Sequence, residues 1–452
     1  MELLDKIRKV IEGYYLETTS SLYIPESVVS ETIHLICKKT RCAEHFCVYD
    51  KNITANLLYT SLQEELRINE SIYLKQSFAV MNVKQIDGFL TRYLTSSSEE
   101  NIENNVILLS NIHIESMPGL FDFILFDNRI VLALDNDNDG GYYLSTDQDL
   151  VSKCQQWLNA SSISIKELEY FFLQEPLMKS ANMVNEVASV LCTKDHVDSG
   201  DCYWYHSAWQ YLRLMNMVST PSWHHNFYLE RIKESFKGMS SVNVLISGAA
   251  DYSSLSYAVR ALEGINVQGD YSVLDLCETP LFSCQWYAKF KNIKVHTLHQ
   301  SIFELDASKK YDLICTDAFL TRFKQNEILA ILKLWNSALS KEGHVITTVR
   351  IHDEQHHCPE SPTSDDVIKF REKAVERMKI WGGFINCSVE DISHKAEIYA
   401  KKMHSNHIGN KDSIVNKFEE AGFRILYLDD VEIEGELYPS RYLRIDAIKD
   451  GG

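Results

Sequence analysis

From Val242 onward, short apolar runs alternate with segments of helical period. Val242–Ile246, Tyr271–Asp275, Ile293–Thr297, Tyr311–Asp317 and His344–Arg350 read as strands. Leu255–Leu262, a stretch through Phe282, Trp286 and Tyr287, and Ile328–Leu339 read as the helices between them. Strands joined through helices pair in parallel, because each crossover returns the chain over one face of the sheet. The expected architecture is therefore α/β, a doubly wound sheet with its ligand at the carboxyl ends of the strands. Two features sit at those ends. Ser247-Gly248-Ala249-Ala250-Asp251 is a small-residue turn that lets backbone approach a ligand closely. Asp275, 27 residues after Gly248, ends the second strand, where a carboxylate can accept both hydroxyls of a ribose. The pattern also suits a nucleotide oxidoreductase, but the turn lacks the GxGxxG that cradles a pyrophosphate.

After a helix at about Asp412–Ala421, Gly422–Leu428 and Arg441–Ile448 read as a closing hairpin. Across about 240–450 the chain resembles the class I S-adenosylmethionine-dependent methyltransferases, of the bacterial type with undefined substrate. The resemblance implies a Rossmann-like seven-stranded sheet whose last strand is antiparallel and inserted beside the fifth. It implies S-adenosylmethionine as cofactor. Val244–Tyr252 matches the family's first motif, with Gly248 at the first glycine, Ala250 and Tyr252 at the other two, and Ile246 at the acidic place. By that match Gly248, Ala249 and Ala250 line the cofactor, and Asp275 and Leu276 take its ribose end. Ser301 and Ile302 fall at the adenine contact, Ser301 standing where Asp is more usual. Asp312–Phe319 matches the fourth motif, placing Asp317 and Phe319 near the reacting methyl. Lys341-Glu342-Gly343 loosely matches a family turn.

The chain divides by texture into 1–175, 176–240 and 241–452. The first zone opens on Leu3, Leu4, Ile7, Val10, Ile11 and Tyr14 at helical spacing, followed by a second helix over Pro25–Lys38. It continues through a polar loop at Ser96–Asn101 and strand-like runs at Val106–Leu109, Phe121–Phe126 and Arg129–Leu134. Asp127-Asn128 marks a hairpin turn. This zone reads as an α/β or α+β accessory domain that covers substrate, dimerises or regulates. The second zone is helical and aromatic. In small-molecule members of the resembling family such helices form a lid, which casts Tyr205 as a cofactor contact and Arg213 as the partner of the methionine carboxylate. A buried stripe of Trp204, Ala208, Leu212 and Met215 explains the same spacing. If the acceptor arrives protonated, a base is needed, and His206, His225 and His352 are the candidates, His206 and His352 foremost.

Lys plus Arg number 45 against 63 Asp plus Glu, a formal charge of −18, which disfavours nucleic acid as partner. The 11 cysteines show no CxxC, and no signal-like start or membrane-length apolar run occurs, so a cytoplasmic protein with free thiols is expected. No metal site is expected. Asp135–Gly140 copies half a calcium loop but has Thr146 at the twelfth place. His352, His356, His357 and Cys358 read as a polar loop, Cys277 and Cys284 as helix packing, and Phe370–Lys379 as a solvated helix face. The expected function is methyl transfer to a small-molecule acceptor, in a setting of secondary metabolism, with a homodimer open. The alternatives are a non-catalytic module that binds S-adenosylmethionine or S-adenosylhomocysteine, and a peptide or protein methyltransferase.

Overall fold

The computed structural model describes residues 2–12, 21–48, 56–80, 101–108, 122–135, 141–159, 162–164, 166, 170–192, 202–218, 221–351, 362–403, 406, 408–433 and 440–450. Tyr14, residues 96–100 and 136–140, and His352, His356, His357 and Cys358 lie outside them. The chain forms two compact units, Met1–Leu173 and Gln174–Gly452, with no break near 240.

Among the described residues the first unit has eight strands: β1 (Ser21–Ile24), β2 (Cys42–Val48), β3 (Tyr73–Val80), β4 (Ile102–Leu108), β5 (Asp122–Phe126), β6 (Ile130–Leu134), β7 (Tyr142–Ser145) and β8 (Ser162–Ser164). Their order is β1-β7-β6-β5-β2-β3-β4-β8. Pairing is mixed, parallel for β2–β3 and β3–β4 and antiparallel elsewhere. Helices α1 (Glu2–Ile11), α2 (Val29–Cys37) and α3 (Leu57–Ile68) contribute Ile7, Ile33 and Leu62 to one core. Helix α4 (Gln148–Leu158) contributes Val151, Cys154 and Trp157 to a second core with Phe46 and Phe123. The sheet is thus buried on both faces, which is why β5 is apolar at every place but its first, Asp-Phe-Ile-Leu-Phe. Asp127 and Asn128 both have positive φ, 48° and 57°, the backbone a tight hairpin requires between β5 and β6.

The second unit carries β9 (Ser241–Ser247), β10 (Gln268–Asp275), β11 (Val295–His299), β12 (Tyr311–Asp317), β13 (Leu339–Ile351), β14 (Phe423–Ile433) and β15 (Ser440–Lys449). Their order is β11-β10-β9-β12-β13-β15-β14. The first five run parallel, and β15 lies antiparallel between β13 and β14. The order reverses between β9 and β12, and a ligand crevice opens at such a switch point in doubly wound sheets. The helices are α5 (Leu177–Leu191), α6 (Tyr203–Leu214), α7 (His225–Phe236), α8 (Ser253–Glu263), α9 (Glu278–Lys291), α10 (Gln325–Ala338), α11 (Ser364–Trp381), α12 (Val389–Lys402) and α13 (Lys411–Glu420).

Three details depart from the sequence reading. The 176–240 zone is not uniformly a lid: α7 lies on the sheet, because Phe227, Tyr228, Ile232 and Phe236 are buried and Tyr228 donates to Thr316 O at 2.8 Å. Strand β11 starts two residues late, since Asn292 takes a left-handed conformation (φ 55°) that ends α9, with Ile293 N–H returning to Ala288 O. Lys341-Glu342-Gly343 is no separate turn but part of β13, which absorbs it through Glu342 at φ 63° and a register shift against β12.

Candidate functional site

Strand β9 delivers its last residue, Ser247, into a fully buried lock. Its carbonyl accepts from Thr316 Oγ1 at 2.6 Å and its hydroxyl from Trp335 Nε1 at 3.2 Å. The chain then turns at Gly248, whose φ of 77° favours glycine. Its amide donates to Leu274 O at 2.9 Å, tying the turn to the end of β10. One residue on, Ala249 N–H donates to Asp275 Oδ2 at 2.9 Å, and Cys277 N–H donates to Asp275 Oδ1 at 2.8 Å. The small-residue turn and the acid at 275 therefore share one point on the carboxyl rim. Each Asp275 oxygen accepts one amide and keeps a second lone pair for a ligand hydroxyl. Burial raises the Asp275 carboxyl above its ordinary range, against the lowering by those two amides.

Around this point stand side chains of contrasting fate. Leu276 is 48% exposed on the rim, an uncovered apolar surface beside the acid. Ala250 is half-buried. Ser301 begins the turn after β11, but its hydroxyl accepts from Phe303 N–H at 3.3 Å in a capping box completed by Glu304. Ile302 buries its side chain in the sheet core and is not turned over to an adenine, while the half-buried Ser301 hydroxyl keeps its own proton to donate. Asp317, at the tip of β12, accepts from Tyr228 Oη at 2.8 Å and Thr348 Oγ1 at 2.7 Å. Burial raises its carboxyl, and the two hydroxyls oppose that. Ala318 follows in a left-handed conformation (φ 48°), which throws the Phe319 ring back onto Gly248.

The helical wall is aromatic. Tyr205 stacks on Trp209 at 5.0 Å and on Tyr399 at 5.9 Å between centroids, and the Arg322 guanidinium lies 5.4 Å above the Tyr205 ring. Burial raises the Tyr205 phenol. Arg322 opposes this, while Asp251, Asp317 and Asp275 reinforce it, which marks Tyr205 as a neighbour of the rim acids. Tyr399 and Arg322 escaped the sequence reading. Tyr399 sits in a mostly polar helix, and Arg322 in a single short turn after β12.

Arg213 is not the carboxylate receptor the sequence suggested. Its side chain is 1% exposed and paired with Glu175 and Asp251, and Tyr257 donates to the other Glu175 oxygen. Two carboxylates already fill its fork, which leaves it a buried tie between the 175 segment, α6 and the start of α8. His206 also departs from its proposed role as base: the ring is buried and its Nδ1 lies 3.4 Å from Cys192 Sγ and 3.4 Å from Cys277 Sγ. His225 is the first residue of α7. His352 falls outside the described residues. Cys277 differs likewise from a packing cysteine. Its Sγ stands in a four-membered group with Cys192, Cys202 and His206, assembled from distant segments that no CxxC spacing could announce. Cys284 is fully buried, as a packing residue is.

No protein-family model matches the chain, and no curated protein matches it in sequence. Among solved structures, it is similar to TehB from Haemophilus influenzae at 11% identity, over 53% of this chain and 66% of that one, with a TM-score of 0.34. It is similar to an S-adenosylmethionine-dependent methyltransferase from Clostridium acetobutylicum at 13% identity, over 54% of this chain and 96% of that one, with a TM-score of 0.36. It is similar to magnesium protoporphyrin IX methyltransferase, ChlM, from Synechocystis, with bound SAM, at 10% identity over 61% and 97%, with a TM-score of 0.34. At such scores the strand order and the rim geometry, rather than these alignments, carry the argument. No helix among the described residues is long and apolar enough to cross a membrane.

Proposed function

We propose that residues 174–452 form a class I S-adenosylmethionine-dependent methyltransferase domain that methylates an O, N or S atom of a small molecule by in-line displacement. The observation that carries this reading is the contact between the small-residue turn and the ribose-type acid: Ala249 N to Asp275 Oδ2, 2.9 Å, at the switch point of a parallel sheet. The residues present fit the cofactor. Asp275 would hold the ribose hydroxyls, exposed Leu276 one face of the adenine, and half-buried Tyr205, backed by the buried rings of Trp209 and Tyr399, an electron-rich surface for a sulfonium. Arg322, exposed above Tyr205, would take the carboxylate that Arg213 cannot. When bound, S-adenosylmethionine supplies an electrophilic methyl carbon whose bond to sulfur breaks as the acceptor's lone pair forms the new one. The chain's part is alignment and exclusion of water, which can be worth roughly 7–11 kcal/mol. The N-terminal unit would be an accessory domain, the setting cytoplasmic, and a homodimer remains compatible.

Calorimetry with S-adenosylmethionine, S-adenosylhomocysteine and NAD tests the reading, repeated on Asp275→Asn. Asn keeps one acceptor and turns the other oxygen into a donor, so loss of one charge-assisted hydrogen bond, worth about 1.5–3 kcal/mol, weakens binding at least tenfold. Tight NAD binding, or adenosyl binding indifferent to residue 275, overturns it. A second reading has its own observation. The Phe319 ring rests on Gly248, where a Cβ would meet it at 2.1 Å, so the ring stands in the space above the turn. A ring there obstructs close approach to Gly248 and weighs against productive seating of the cofactor, and binding with no methyl consumption across broad acceptor pools would select a module without turnover.

A further inference from the structure

Cys192 ends α5, Cys202 and His206 open α6, and Cys277 lies between β10 and α9. Their donor atoms all fall within 4.8 Å of one another. Cys277 Sγ is 3.8 Å from Cys192 Sγ and 3.6 Å from Cys202 Sγ. His206 Nδ1 is 3.4 Å from both Cys192 Sγ and Cys277 Sγ. A tetrahedral zinc with bonds of about 2.3 Å to sulfur and about 2.0–2.1 Å to nitrogen has edges of roughly 3.8 Å between sulfurs and roughly 3.5 Å between sulfur and nitrogen. The four contacts given above match those edges. No pair of sulfurs is within bonding distance of about 2.05 Å, and the three cysteines are free thiols.

We propose that Cys192, Cys202, His206 and Cys277 bind one zinc ion in a closed structural site. Three thiolates and one imidazole form a donor set suited to zinc and foreign to magnesium or calcium, which take oxygen ligands. Four protein donors leave no open position, so the ion staples rather than catalyses. Thr279 Oγ1, 3.2 Å from Cys192 Sγ, supplies the outer hydrogen bond such thiolates usually receive. The staple joins α5 and α6 to the β10–α9 junction, beside a small apolar cluster of Ala188, Cys192 and Cys277 with Cys202 and Tyr203 packed on it. Cys277 also offers its amide to Asp275, so the ion would fix the acid on the cofactor rim. That last link rests on the proposed methyltransferase reading, whereas the metal site does not.

The full chain purified under reducing conditions should contain one zinc per molecule by elemental analysis. X-ray absorption should show a sulfur-rich four-coordinate shell, and replacement by cobalt(II) should give the visible bands of tetrahedral thiolate coordination. Cys202→Ser and His206→Gln should each lower zinc content and thermal midpoint, while Cys387→Ser, a half-buried thiol away from the cluster, should leave both unchanged. Because the cluster variants could fail to fold, the wild-type chain decides. Zinc below a tenth of an equivalent after reconstitution, cobalt spectra of octahedral type, or a disulfide among these cysteines in non-reduced peptide maps would each overturn the site. Zinc bound without adenosyl binding would leave the site standing and remove only the link to Asp275.

Discussion

The ring of Phe319 lies so close over the Cα of Gly248 that a methyl there would sit 2.1 Å from Cδ2 and 2.3 Å from Cε2. Glycine is thus demanded twice, once by its φ of 77° and once by the ring. Gly248→Ala should lose about 1–2 kcal/mol to the backbone and about 1–3 kcal/mol more to overpacking. For a unit of this size that is a drop of several degrees, at about 2–4 °C per kcal/mol. Measured against Phe319→Ala alone, which has its own loss of ring packing on Phe323 and Trp335, Gly248→Ala should cost only the backbone share. Differential scanning calorimetry on these variants reads both, and a midpoint unmoved in Gly248→Ala would contradict this account of the turn.

Arg213 and Arg322 are both arginines of the helical wall's surroundings, yet their environments assign opposite consequences. Arg213→Met strands Glu175 and Asp251 as buried charges without their cation, a loss of about 3–5 kcal/mol for a broken buried pair. Arg213→Lys should restore little, since one ammonium cannot span both carboxylates. Arg322→Ala should leave stability unchanged and weaken adenosyl-ligand affinity, because the side chain is exposed and faces the Tyr205 ring. Urea unfolding and ligand calorimetry on the same three proteins separate the roles. Equal stability losses at both positions would refute the division.

How much of this could be seen in the residues alone depended on the range of the interactions. Strand β12, Tyr311–Asp317, was legible to the residue, because an apolar run bounded by polar turns is set by local pattern. The hairpin at Asp127-Asn128 was legible for the same reason, the turn chemistry being local. Helix α12 was not read: only Ile392, Ala396, Tyr399 and Ala400 are buried along its 14 residues, too thin an apolar stripe to stand out from a polar segment. At the site, Gly248 and Asp275 were found because strand ends announce them. Arg213 misled because its partners lie 38 residues to either side, and sequence spacing says nothing about pairs made by folding. The same holds for Cys277, which reaches back 85 residues to Cys192.

His224 gives the unit a dependence on acid. The ring is 1% exposed, faces Tyr442 at 5.0 Å, and its Nδ1 accepts from Arg444 Nε at 3.1 Å. Arg444 in turn donates to Asp429 Oδ2 at 3.2 Å and to Trp223 O at 3.3 Å, so the guanidinium is held in place against the imidazole. Burial, and then the Arg444 charge, push the imidazole down to about 3. The folded chain therefore keeps His224 neutral where the unfolded chain, with an ordinary value near 6.5, takes up a proton. Below that point the unfolded state binds one proton more, so stability rises with pH and falls on acidification from about 6.5 toward about 3. At pH 5 the loss amounts to about 2 kcal/mol, before most carboxylates begin to titrate. His224→Gln keeps an acceptor for Arg444 and removes the titration. Urea midpoints measured between pH 7 and pH 5 should fall more steeply for the wild type than for this variant, by close to one proton in slope at the acid end. Parallel curves would mean that His224 is protonated in the fold, and that the Arg444 contact is not what the geometry makes it.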